Sequence, residues 1–171
     1  MKRTIEVLNG LEKEGVFARY AIGGAMGAIF YTEPSLTFDL DIFVVHSPQE
    51  NEHDVRGRRR VDCIGRVVTR PSGRETASQC IVIDGVPVRF LPAYNSLVQE
   101  ALSRAQDTTY ENIPTRILSS EYLVAIALQT GRSKARERVR ILREQAKLDI
   151  RLLADILKRH QLEGRWQQWT E

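Results

Sequence analysis

No apolar run in this chain is long enough to cross a bilayer. The best one, residues 21–31, falls well short of the ~20 residues a helical span needs. The opening MKRTIEVLNGLEKEG has neither a long apolar segment nor a small-residue cleavage site, so no signal peptide is expected. Cysteine is scarce. Cys63 and Cys80 form no Cys-x-x-Cys pair, which excludes a disulfide framework and argues against structural zinc. A reducing, cytoplasmic setting is expected, with no membrane partner. His46, His53 and His160 suggest no cluster, and His46 reads as a loop residue rather than a base. No Ser-His-Asp or Cys-His arrangement and no internal repeat is readable.

What is present is an ordinary globular composition. The chain has 171 residues, 42% hydrophobic and 27% charged, enough for one domain with a real core. Net charge is +3. Its distribution says more than its size: seven Arg fall between positions 56 and 74, and ten Lys and Arg stand against four acids between 132 and 159. Each run alone reads as solvated surface. Together they keep an RNA or polyphosphate partner in view.

Periodicity predicts a helix over 3–14 with Gly15 as its stop, a strand over 16–22, and a helix over 25–31. A β-branched and aromatic strand over 37–45 follows. Residues 49–79 are polar, Arg-rich and weakly periodic, with a strand piece at Val67-Val68 and a turn at 71–73. Apolar runs on either side of Asp84-Gly85 predict a hairpin over 80–91. Beyond it come a helix over 94–104, a short strand over 113–118 and a helix opening at Ser119 or Ser120. One long helix over 133–160 closes the pattern, with its apolar stripe at Val139, Leu142, Ala146, Ile150, Leu153 and Leu157. The expectation is an α+β domain: an α/β core over 1–118, with a C-terminal helical region over 119–171 packed on it.

Two features sit oddly in that pattern. Asp39 and Asp41 lie two apart in the 37–45 strand, so they project from one face while Leu40 and Ile42 enter the core. Two carboxylates side by side repel unless a cation joins them. Mg²⁺ takes one or two carboxylates together with substrate phosphates. Gly23-Gly24, between a strand and a helix, permits close backbone approach and offers N–H groups to an anion. Taken singly, the acids fit a solvated strand face and the glycines fit a tight turn.

In combination, IGGAMGAIFYTEPSLTFDLDIFVV resembles the signature of the nucleotidyltransferase superfamily typified by DNA polymerase β. There, a glycine pair and a helix precede Asp-x-Asp on a strand. The stretches CIVIDGVPVRFLPAYNSLVQEAL and EYLVAIALQTGRSKARERVRILREQAKLDIRLLADIL are similar to the small prokaryotic branch that includes the AbiEii-type toxins. The resemblance implies a nucleotidyltransferase-like mixed sheet flanked by helices. It also implies metal-dependent transfer of a nucleoside monophosphate from a nucleoside triphosphate to an RNA, tRNA or protein acceptor, as in a toxin–antitoxin pair. On that resemblance Gly23 and Gly24 contact the triphosphate, and Asp39 and Asp41 are catalytic and hold Mg²⁺ or Mn²⁺. Lys134, poorly placed for the dipole at a helix start, faces the nucleotide.

The family's third carboxylate is missing. Its place in Val88-Arg89-Phe90-Leu91 holds Arg89, and the nearby Asp84 is better explained by its turn. Arg89 either pairs with the two acids in place of a cation or grips a phosphate. Three readings follow: an active transferase, an impaired nucleotide-binding or partner-binding module of the same fold, or a packed sheet with solvent-facing acids.

Overall fold

The computed structural model describes residues 1–34, 37, 39–46 and 80–170. The expectations that fall within 47–79, including the Val67-Val68 strand piece, the 71–73 turn and the arginine run, lie outside the described residues. Helix α1 (Lys2–Lys13) stops before Gly15, whose φ of +74° is the left-handed conformation that ends helices. Strand β1 (Phe17–Ile22) leads directly into α2 (Gly24–Ala28). This helix is shorter than the sequence suggests. Tighter bonds close it, from Tyr31 N–H to the Ala28 carbonyl at 2.9 Å and from Thr32 Oγ1 to the same carbonyl at 3.0 Å. Strand β2 (Leu40–His46) begins later than predicted, so Asp39 lies just outside it.

The Asp-Gly hairpin forms as expected from β3 (Cys80–Ile83) and β4 (Val86–Pro92). Asp84 and Gly85 both have positive φ, +51° and +78°, which suits the twist of the flanking strands. Asp84 is therefore accounted for by its turn. Helix α3 (Ser96–Ser103) is capped by Asn95, whose Oδ1 accepts from Val98 N–H at 2.9 Å. A second hairpin joins β5 (Gln106–Tyr110) to β6 (Ile113–Ile117). The sequence reading missed β5 because QDTTY is polar, but Glu111 and Asn112 supply the same paired positive φ, +48° and +66°.

Helix α4 (Ser120–Thr130) ends on Gly131. The single helix expected over 133–160 is two, α5 (Ser133–Gln145) and α6 (Ile150–Arg159). Asp149 divides them: its side chain accepts from the N–H groups of Arg151 and Leu152, both at 3.0 Å, and starts a new helix. Its own N–H donates to the buried Glu121 carboxylate at 2.9 Å, pinning the break to α4. Helix α7 (Glu163–Thr170) brings Trp166 and Trp169 against the core.

The fold is α+β: a mixed six-stranded sheet, order β3-β4-β2-β1-β6-β5, flanked by helices and followed by C-terminal helices. β1 runs antiparallel to β2 and parallel to β6, and β2 runs parallel to β4. One face packs on α1 through Ile5, Leu8, Tyr20, Ile42 and Phe90. The other packs on α3 to α6 through Ala21, Phe43, Leu118 and Val124, so sheet and C-terminal helices share one core. No helix among the described residues is long and apolar enough to cross a membrane.

A charged staple holds α3, α4 and α6 together. Glu100 accepts from Tyr122 Oη at 2.8 Å, and its other oxygen meets His160 Nε2 at 2.9 Å; Arg159 donates to it as well. Burial pushes the Glu100 carboxyl up, but these hydrogen bonds outweigh it and hold it down to about 2. A depressed carboxyl contributes stability that is fully present above its unfolded value and is lost as pH falls toward about 2. Glu100→Gln is therefore expected to lower unfolding free energy by about 1–2 kcal/mol at pH 7. Urea denaturation at pH 7 and pH 3 checks this, because the gap between variant and parent should shrink at the lower pH.

Candidate functional site

Alternation along β2 sorts its side chains. Leu40, Ile42 and Val44 are fully buried on the α1 side, while Asp41 and Phe43 face the other way. The neighbour of Asp41 in the parallel β2–β4 ladder is Arg89, with Val88 and Phe90 buried on the opposite face. Register thus delivers an arginine to the acid. Arg89 Nη2 donates to Asp39 Oδ2 at 2.8 Å, and its Nε lies 2.9 Å from Asp41 Oδ1. One guanidinium meets both carboxylates, which places the two acids on the same side.

The site deepens inward. The Asp39 side chain is 52% exposed and that of Asp41 only 17%. The Nε contact is an ion pair without the alignment of a hydrogen bond, so Asp41 Oδ1 is a buried oxygen with no hydrogen-bond partner among the described residues. Burial pushes the Asp41 carboxyl up, Arg89 and Arg138 pull it down, and Asp39 adds to the rise.

The glycine corner has a structural task here. Gly23 N–H donates to the Asp41 carbonyl at 2.9 Å, extending the sheet, so that donor is already taken. A Cβ on Gly23 would lie 2.4 Å from the Phe43 ring. Gly24 has a φ of +60°, and a Cβ there would sit 2.0 Å from Asp41 Oδ2. The pair lets the chain turn out of β1 while Asp41 folds against it.

One further charge that sequence reasoning passed over acts on Asp41. Arg138 on α5 is half-buried and stands in the field of both Asp41 and Arg89. Burial and Arg89 push its guanidinium down, and Asp41 supports it. The available signal was position: Arg138 follows Ala135 by three residues and precedes Leu142 by four, on the rim of the inward face. Lys134, the expected lysine, is exposed on the first turn of the same helix, four residues earlier. Gly23, Gly24, Asp39, Asp41 and Arg89 come together; among the described residues no hydrogen bond or ion pair joins Lys134 to them. His46 ends β2.

Whether a metal fits can be asked of these atoms. Asp41 Oδ1, which makes an ion pair but no aligned hydrogen bond, lies beside Asp39 and favours one. Against it, no group of three His, Cys, Asp or Glu among the described residues could hold a metal ion. The Arg89 guanidinium also stands against both acids. With Arg89 in this position the residues do not fit Mg²⁺ or Mn²⁺. No family model and no curated protein matches the chain, so the geometry carries the functional reading.

Gly85 is a natural control for the glycine corner. Gly85 also has a left-handed φ, +78°, but open space around it. Gly85→Ala should cost about 1 kcal/mol of backbone strain. Gly24→Ala adds the collision with Asp41 and should cost about 2–4 kcal/mol. Equal losses in chemical denaturation would contradict this account of the corner.

Proposed function

We propose that this chain is a nucleotide-binding module of the nucleotidyltransferase type, in which Arg89 stands where a transferase needs a metal and a third carboxylate. It binds a nucleoside triphosphate beside Gly24 and Arg89 without turning it over, and acts through a partner protein in a cytoplasmic setting. The observation that carries this reading is the single guanidinium in contact with both Asp39 and Asp41. A guanidinium is a permanent cation with a planar fork of donors, so it neutralises the acids as a metal would. It supplies neither an open coordination position nor a Lewis acid for an attacking oxygen.

A second reading has its own support. Asp41 Oδ1, buried and held by Arg89 through an ion pair without an aligned hydrogen bond, is an oxygen that a metal ion could take over if the guanidinium left. If Arg89 swings away on nucleotide binding, Asp39 and Asp41 hold Mg²⁺ or Mn²⁺. The chain then moves a nucleoside monophosphate to an RNA or protein acceptor, as a toxin-like enzyme would.

Labelled nucleoside triphosphates separate the two. The module reading expects equilibrium binding that Arg89→Gln weakens by about tenfold or more, a charge-assisted contact to phosphate being lost. It also expects no label in RNA or protein with either metal. Incorporation that disappears in Asp41→Asn would establish the transferase instead. Absence of any nucleotide binding at millimolar concentration would remove both.

A further inference from the structure

Helices α6 and α7 leave a groove between them. Ile150, Ala154 and Leu157 form its α6 wall, and Trp166 and Gln167 form its α7 wall beside Glu163. Its volume is about 180 Å³, below the ~300 Å³ at which small-molecule sites begin. That is room for a side chain or two, not for a cofactor. Ile150 is one of three large apolar side chains that stand exposed among the described residues, at 65%. It opens α6 at the edge of the groove and belongs to neither apolar core. Burying it requires something outside the fold.

The charges around the groove have a direction. Arg151 and Lys158 stand three residues before and four after Ala154, so they rim the α6 wall. Both are exposed, and neither side chain makes a hydrogen bond or ion pair among the described residues. Asp155 is within helical reach of both, but Arg159 holds it at 3.0 Å. Arg151 also sits in the first turn of α6, where a cation works against the helix dipole. Glu163 is accounted for, since an acid in the first turn of α7 suits that dipole. The uncompensated charge at the rim is therefore positive. A nucleic-acid backbone would use the two cations and leave Ile150 in water. A second copy laid antiparallel across the groove sets the Arg151–Lys158 row against its own counterpart, a like-charge contact.

We propose that this groove docks an amphipathic helix of a partner protein, with acids along one flank of its apolar stripe. The apolar stripe covers Ile150 and Ala154 between the two walls. Acids two helical turns apart, about 10 Å, meet Arg151 and Lys158. The inference rests on the partner-dependent part of the reading above and names the kind of partner it needs.

Calorimetry and tryptophan emission on the full chain test this with a capped, Trp-free helical peptide of about 18 residues. It carries leucines at helical spacing and glutamates two turns apart on one flank; a second peptide has lysine in place of each glutamate. The glutamate peptide should bind about tenfold more tightly at low salt, and added salt should shrink that advantage. Ile150→Gln, at an exposed position, should weaken it about tenfold with the thermal midpoint unchanged. Arg151→Glu with Lys158→Glu should reverse the preference toward the lysine peptide. Equal affinity for the two peptides, or no binding of either, overturns the inference. So does self-association in sedimentation that Ile150→Gln abolishes, which assigns the groove to a second copy. Binding of an RNA oligomer that needs Arg151 and Lys158 but not Ile150 overturns it as well, and assigns the cations to nucleic acid. ATP titrated into the same samples reports the nucleotide-binding reading separately, so either can fail while the other stands.

Discussion

The contact between Arg89 and the two aspartates organises this site. Three backbone choices converge to make it. The parallel β2–β4 register sets Asp41 beside Arg89. Asp39 stands two residues earlier, just before the strand, and reaches the other edge of the same guanidinium. Gly24, in a left-handed conformation, leaves the space that the Asp41 carboxylate fills. A side chain at position 24 or a one-residue slip of β4 would break the arrangement. A slip would point Val88 or Phe90 at the acids and bury the arginine on the α1 side.

Electrostatics then decides what such a site can do. Two acids this close need a counter-charge, and a metal or an arginine can supply it. A metal brings open coordination positions for phosphate and for an attacking oxygen. An arginine supplies charge and direction only. The outermost acid is half exposed and the inner one is nearly sealed, so Asp41 depends most on its cations. Arg138 on α5 adds to the positive field that favours the charged form of Asp41. The Glu100 staple holds α3, α4 and α6 in register on the same side of the sheet, giving α5 a firm bed to pack on.

Much of this was legible in the residues. Period-two alternation revealed β2 and the side that Asp41 takes, whereas Asp39 lies before the strand and is brought to the same side by its contact with Arg89. Asp84-Gly85 fixed its hairpin because few dipeptides accept paired positive φ. Arg89 opposite Asp41 was readable as a pairing as soon as the two strands were placed side by side. Other features depended on distant contacts. The break between α5 and α6 rests on Asp149 reaching back to Glu121, a contact across α4 that helical periodicity cannot show. β5 is polar, and its pairing with β6 rather than its composition makes it a strand. Arg138 was hidden among the charges of SKARERVRILREQ. Only packing separates it from Arg140, which pairs with Glu137 and Glu144 on the outer face. The room that the glycine pair makes for Asp41 and Phe43 depends on partners elsewhere in the chain, which the Gly-Gly dipeptide alone does not show.

A double-mutant cycle addresses the central contact most directly. Unfolding free energies of the parent, Arg89→Gln, Asp41→Asn and the double variant yield the coupling between the two side chains with their separate burial costs removed. The expected result is a favourable coupling of about 1–3 kcal/mol, as for close partners in one network. Additivity to within about 0.5 kcal/mol would mean that Arg89 does not hold Asp41, and would contradict the account.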